Sequence, residues 1–280
     1  MKKKISIIWV LLLCSSLYSV AQTATHSEDY SLFKKDSLIE NGMKLPYRIL
    51  YPENYDVQKK YPLLIFLHGS GERGNDNEKQ LLHGGNWLIK NFRKDNPAIV
   101  IVPQCSVESF WANCKRETVT INNSTKSNFI FYKDSAATPA MQLLLGLTKN
   151  WILSGKIDTQ KIYIGGLSMG GMATYEMLIR CPKTFAAAFV ICGAVDINWF
   201  KAHDEKIPLW LFHGDADAVV SVEYSRQIFS ELNDGKRIIK YTEYHDVKHN
   251  CWDNVFLNNS LPGWLLSKSV SNTVTAIPQK

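Results

Sequence analysis

Apolar residues along this chain fall into short continuous runs, each closed by Gly or Pro, rather than into long amphipathic stretches. "YPLLIFLHG" (61–69), "PAIVIVPQ" (97–104), "KIYIGG" (161–166), "FAAAFVICG" (185–193) and "IPLWLFHG" (207–214) read as strands buried on both faces. Two further runs read as strands: "LPYRILYP" (45–52), which alternates like a half-buried strand and stops at a Pro, and "RIIKYTEYH" (237–245). Helix-like segments lie between them, over 135–153, 169–180 and 221–233. Strands alternating with helices predict βαβ units. The expected fold is therefore α/β, a mostly parallel central sheet with helices on both faces. No repeat or low-complexity linker breaks the rhythm, so a single domain is expected over 30–268. A loose polar stretch (22–29) precedes it, and a tail, "SVSNTVTAIPQK" (269–280), follows.

The first 21 residues stand apart. Lys2, Lys3 and Lys4 precede an apolar run from Ile5 to Leu13, and Ser19-Val20-Ala21 offers small residues before Gln22. That is the layout of a secretory signal peptide, and the apolar run is too short for a comfortable membrane span. A lipoprotein signal would use Cys14, but Leu13 is bulky where such signals want a small residue. The chain is expected to be secreted or periplasmic. Removal of the leader lowers the formal charge from +6 to +3, since 29 basic residues then face 26 acidic ones. No block of five or more Lys/Arg appears, so nucleic acid is not an expected partner. Five cysteines remain: Cys105, Cys114, Cys181, Cys192 and Cys251. An odd number leaves at least one thiol free, and Cys105 and Cys114 are close enough in sequence to pair. Without a CxxC pair or HExxH motif, a zinc site is not expected.

One segment departs from the rhythm. Residues 105–134 carry Phe110, Trp111, Phe129, Phe131 and Tyr132 among many Asn, Ser and Thr. A connection of that length is usually functional or disordered, and the aromatics argue for function. Trp111 and Phe129–Tyr132 are expected to line an acyl or aromatic pocket, the alternative being a loop folded over a small core of its own.

The densest chemical signal is "IYIGGLSMGGMATYEML" (162–178). A strand runs into Gly166-Leu167-Ser168-Met169-Gly170 and then into a helix. Such a bend lifts the Ser168 hydroxyl off the sheet, and Gly166 and Gly170 keep its surroundings clear of side chains. A hydroxyl needs a base, and the base needs an acid to orient it. In strand–Ser–helix enzymes the chain order is Ser, acid, His. His249 and His245 follow suitable acids, and His249, on a loop past the last strand and before a helix that Asp253 is expected to cap, is the better placed. Among the acids Asp217 is favoured, because Val219 and Val220 can anchor its loop. Asp215 reads as a turn residue, and Asp196, one strand earlier, stays in competition. For the oxyanion, the expected donors are the backbone N–H of Met169 and one from "LHGSGERGNDN", with Ser70 ahead of Gly71.

With these residues in place the chain resembles the α/β-hydrolase superfamily. More narrowly it is similar to secreted bacterial phospholipase/carboxylesterase and polyhydroxybutyrate-depolymerase-like serine esterases, to which prolyl-oligopeptidase-type peptidases are related. The matching stretches are "LHGSGERG" (67–74), "GLSMGG" (166–171), "HGDADAVV" (213–220) and "KHNCWD" (248–253), in the family's order. The resemblance implies nucleophile Ser168, acid Asp217, base His249, no metal and no organic cofactor. It also implies small-molecule or polysaccharide esters as substrates, acetyl and feruloyl esters of plant polysaccharides among them. A prolyl-oligopeptidase-type peptidase and a non-catalytic binding protein are the alternatives. The oligomeric state is left open.

Overall fold

The computed structural model describes residues 30–121, 124–133, 135–203 and 206–270. The leader 1–21, the stretch 22–29 and most of the 269–280 tail lie outside them. The elements are β1 (Phe33–Glu40), β2 (Met43–Leu50), β3 (Tyr61–Leu67), α1 (Gly85–Phe92), β4 (Ile99–Pro103), β5 (Cys114–Ile121), β6 (Ser124–Phe131), α2 (Pro139–Leu153) and β7 (Ile157–Leu167). They continue with α3 (Met169–Arg180), β8 (Ala187–Ile191), α4 (Ile197–Ala202), β9 (Leu209–Gly214), α5 (Glu223–Leu232), β10 (Ile239–Tyr244), α6 (Trp252–Phe256) and α7 (Ser260–Leu266).

Eight strands form the main sheet in the order β1-β2-β4-β3-β7-β8-β9-β10. β1, β2 and β4 pair antiparallel, and every pairing from β4 across to β10 is parallel. Alternate residues of the buried strands feed two cores. Leu63, Ile65, Ile162 and Ile164 pack with α2, α3 and α5, whereas Leu64, Phe66, Val100 and Tyr163 pack with α1, α6 and α7. That two-sided burial is what the uninterrupted apolar runs encode. This is the α/β-hydrolase fold, with helices on both faces of one mostly parallel sheet.

Three features differ from the sequence-based reading. The segment Phe33–Glu40, assigned no element, is an edge strand whose burial falls almost wholly on Phe33. Its lysines and acids suit an edge that must not pair further. Within 105–134 the chain folds into the hairpin β5–β6, a separate two-stranded sheet in register from Cys114↔Phe131 to Ile121↔Ser124. Finally, Asp253 does not cap α6: Cys251 holds the cap position, and Asp253 lies in the first turn, accepting from Asn250 Nδ2 at 2.9 Å. Among the described residues no helix is long and apolar enough to cross a membrane.

Candidate active site

Ser168 sits between the end of β7 and the start of α3 with φ 53° and ψ −116°. A side-chain-bearing residue in that conformation is strained, and the neighbouring backbone holds it there. Its N–H donates to the Ile191 carbonyl at 2.9 Å and its own carbonyl accepts from Met172 N at 3.0 Å. The flanking glycines are sterically required. A Cβ on Gly166 would lie 2.6 Å from both the Gly170 and Leu67 carbonyl oxygens, and one on Gly170 would collide with the Leu67 carbonyl itself. α3 thus crosses β3 backbone to backbone, with no room for a methyl group.

The Ser168 Oγ lies 2.9 Å from His249 Nε2, and His249 Nδ1 lies 2.7 Å from Asp217 Oδ2. A carboxylate can only accept, so Nδ1 carries the proton and Nε2 is free to accept the serine hydroxyl. Asp217 is fully buried at its side chain, while that of His249 is 19% exposed. Burial pushes the Asp217 carboxyl up. Hydrogen bonds from His213, His249 and the Val220 backbone, with the charge attraction of His249, outweigh it and hold the group well below the usual carboxylate range. Its Oδ1 accepts from Val219 N (2.8 Å) and Val220 N (2.9 Å), so the loop that follows Asp217 wraps back onto its own carboxylate.

His213, which the sequence reading passed over, is a second imidazole on Asp217. It is fully buried, with Nε2 3.0 Å from the Val220 carbonyl and 3.3 Å from Asp217 Oδ2, while Nδ1 accepts from Ser225 Oγ at 2.8 Å. Only its place four residues ahead of Asp217 hinted at this. The competing acids are engaged elsewhere. Asp196 caps α4 through Trp199 N (2.9 Å) and pairs with Lys133 (2.7 Å). Asp215 accepts from His245 Nδ1 (2.8 Å) and Asp246 N (2.7 Å), and His245 is 85% exposed.

Ser70 and Met169 each occupy the first position of a helical turn, where an N–H has no intrahelical acceptor. Both line one pocket with Ser168, as two donors converging on a carbonyl oxygen would. Buried polar groups stiffen the Ser70 loop. His68 donates from Nδ1 to the Gly69 carbonyl (2.6 Å) and accepts at Nε2 from Cys105 N (3.0 Å). Burial drives its pKa down to about 4. Gln104 adds hydrogen bonds to the Glu72 carbonyl, Asp76 Oδ1 and Asn77 N.

The pocket measures about 360 Å³. Its floor is apolar, built from Met169, Met172, Cys114, Phe129, Val219 and Val220, and its mouth carries Arg73, Phe110, Lys115 and Arg116. Trp111 does not line it. That side chain is fully buried in the main core with its ring centroid 5.4 Å from that of His68, so it supports the Ser70 loop from behind. Of the four residues 129–132, Phe129 faces the pocket, Phe131 packs in a satellite cluster with Ala112 and Met172, and Ile130 and Tyr132 are exposed. The hairpin that supplies this wall is tied down at three points. Asn113 N donates to the buried Glu176 carboxylate (2.9 Å), Lys133 pairs with Asp196, and Tyr224 Oη accepts from Phe129 N (3.1 Å) while donating to Asn128 (2.8 Å).

The Cys105–Cys114 pairing that the spacing left open is not formed. Both are free thiols, Cys105 buried beneath the Ser70 loop and Cys114 with its sulfur 3.9 Å from that of Met172. Among the described residues two groups of side chains could offer metal ligands. Cys192, Asp217 and His249 present atoms within 4.8 Å of one another. Asp217 and His249 are committed to each other and to Ser168, and burial raises the Cys192 thiol well above its ordinary pKa, keeping it protonated. Asp215, His245 and Asp246 form the second group, on the surface.

This fold and this Ser–His–Asp geometry define a serine-hydrolase type of site on an α/β-hydrolase scaffold. The chain belongs to the phospholipase/carboxylesterase family, whose family model matches residues 55–259. Mouse lysophospholipase-like protein 1 (Mus musculus) is 25% identical over 223 residues, covering 77% of this chain and 87% of that protein. Endo-1,4-beta-xylanase Y of Acetivibrio thermocellus is 26% identical over 161 residues, 55% of this chain but 13% of the xylanase, so the likeness is to a small part of it. Among solved structures, a thermostable esterase superposes with a TM-score of 0.71 at 28% identity, covering 85% of this chain and 64% of that one.

Proposed function

We propose that this protein is an exported serine esterase that hydrolyses carboxylic esters through an acyl-enzyme on Ser168. The observation that carries the reading is the position of His249 between the Ser168 hydroxyl and the buried Asp217 carboxylate. As Ser168 Oγ attacks the ester carbonyl carbon, its proton passes to His249 Nε2, and Asp217 stabilises the imidazolium from Nδ1. The carbonyl oxygen, now anionic, accepts from Met169 N and Ser70 N. The intermediate collapses, the C–O bond to the alcohol breaks, and His249 returns the proton to the departing oxygen. Water then repeats the sequence on the acyl-serine, releasing the acid and restoring the hydroxyl. The basic-then-apolar leader supports export to the periplasm or medium. The partial likenesses to a xylanase, to a bifunctional acetylxylan esterase/xylanase and to a feruloyl esterase support esters of plant polysaccharides, with acetyl or feruloyl as the acyl group. An apolar floor bounded by Phe129 suits either.

The test pairs turnover with labelling. The enzyme should hydrolyse 4-nitrophenyl acetate and take up a fluorophosphonate probe, while peptide anilides stay intact. Ser168→Ala should abolish both reactions with an unchanged circular dichroism spectrum. Labelling that survives in Ser168→Ala would refute the assignment of the nucleophile.

A further inference from the structure

We infer that the alcohol half of the substrate is acidic: the ester sits on a saccharide bearing carboxylates, such as uronic acid residues. This rests on the esterase reading above. A polymer cannot enter a pocket of about 360 Å³, so the acyl group occupies the floor and the saccharide crosses the mouth. Floor and mouth differ sharply in chemistry. Met169, Met172 and Val220 below are buried and uncharged, whereas Lys115 and Arg116 above are exposed and cationic, and Arg73 stands beside them. Among the described residues no Asp or Glu lines this pocket.

The cations are arranged rather than scattered. Arg73 is clamped by three backbone carbonyls, those of Ser70 (3.1 Å), Val107 (3.0 Å) and Ser109 (3.2 Å), with its guanidinium carbon 4.2 Å from the Phe110 ring centroid. Carbonyls orient a guanidinium without cancelling its charge. Arg116 is held by Ser127 Oγ, at 3.0 Å from Nε and 2.6 Å from the terminal nitrogen. It stands directly across the hairpin from Phe129, which places its fork at the edge of the floor. Of the three cations only Lys115 has a carboxylate partner among the described residues, Glu117 at 3.2 Å. The buried Glu72 carboxylate turns instead to His83, 3.6 Å away, which packs on Trp252, which packs on His249. With Ser127 on its Nε side, Arg116 keeps the edge between its two terminal nitrogens for planar, bidentate recognition of a substrate carboxylate, while Arg73, its Nε and one terminal nitrogen taken by carbonyls, adds its remaining terminal nitrogen and its charge. Phe110, stacked on Arg73 and itself 42% exposed, offers the sugar ring an apolar face.

The experiment uses competition, so the acyl group does not enter it. Hydrolysis of 4-nitrophenyl acetate by the full enzyme is followed in the presence of oligogalacturonate or of a neutral xylo-oligosaccharide of equal length. Oligogalacturonate should inhibit competitively and lose potency with added salt, and the neutral oligomer should bind at least about tenfold more weakly. Arg116→Gln should raise the inhibition constant for oligogalacturonate about tenfold and leave that of the neutral oligomer in place, with Arg116→Lys recovering part of the loss. Equal inhibition by the two oligomers, or an inhibition constant unmoved in Arg116→Gln, would overturn the inference while leaving the esterase intact. Failure to hydrolyse 4-nitrophenyl acetate at all would overturn the esterase reading, and this inference with it.

Discussion

Acidification should weaken this fold through one buried imidazole. His68 is almost entirely out of solvent, and both ring nitrogens are committed: Nδ1 donates to the Gly69 carbonyl and Nε2 accepts from Cys105 N. A second proton would have to enter at Nε2, against the Cys105 N–H. Burial lowers its pKa from 6.5 to about 4. A histidine with a lowered native pKa stabilises the folded state above its unfolded pKa, and that stability is lost as pH drops through the interval between the two values. Linkage over the interval gives a loss of about 2 kcal/mol near pH 5 and about 3 kcal/mol near pH 4, relative to neutral pH. Urea unfolding of the wild type and of His68→Asn across this range isolates the effect, since the other ionisable groups are shared. The wild type should lose stability more steeply between pH 6.5 and 4, and the two curves should converge toward acid. Parallel curves would show that His68 titrates normally, and that the hydrogen bonds assigned to its ring do not hold the neutral form.

Two further outcomes test the site and its scaffold. Asp217→Asn should lower kcat by about four orders of magnitude with KM little changed, because the amide offers His249 Nδ1 the wrong partner; steady-state kinetics on 4-nitrophenyl acetate read this. Gly170→Ala should cost about 3 kcal/mol or prevent folding, since its methyl runs into the Leu67 carbonyl, whereas Gly263→Ala on an open face of α7 should raise stability by up to about 1 kcal/mol. Thermal unfolding of the pair separates steric demand from helix propensity.

The parts of this molecule that were legible in the sequence are those whose burial is two-sided or whose chemistry is punctuated. Five strands announced themselves because residues such as Leu63 to Leu67 must be apolar on both faces. The Ser168 bend was legible because glycine is the residue that fits where α3 meets β3. β1 was not, because an edge strand bearing Lys34, Lys35 and Asp36 has no apolar period to display. The hairpin escaped for a different reason. Its strands are rich in Thr, Ser and Asn, and what fixes them is tertiary: Glu176 on α3, Asp196 before α4 and Tyr224 on α5. Adjacent aromatics misled in the same way. Phe110 and Trp111 are equivalent by composition, yet one is 42% exposed at the mouth and the other is fully buried under His68. Cys105 and Cys114 are neighbours in sequence, but one ends beneath the Ser70 loop and the other faces Met172. His213 could be recognised only once the loop after Asp217 was seen to close over it.

Among the described residues the two strands β5 and β6 bond to each other and to no strand of the eight-stranded sheet. Substitution within this appendage therefore leaves the ladder that carries nucleophile, base and acid untouched. On the proposed reading, selectivity and turnover then rest on separately hydrogen-bonded sheets, and a lineage, or an engineer, can exchange the stretch between Asn113 and Lys133 as a cassette. What the replacement must keep are its moorings on Glu176, Asp196 and Tyr224.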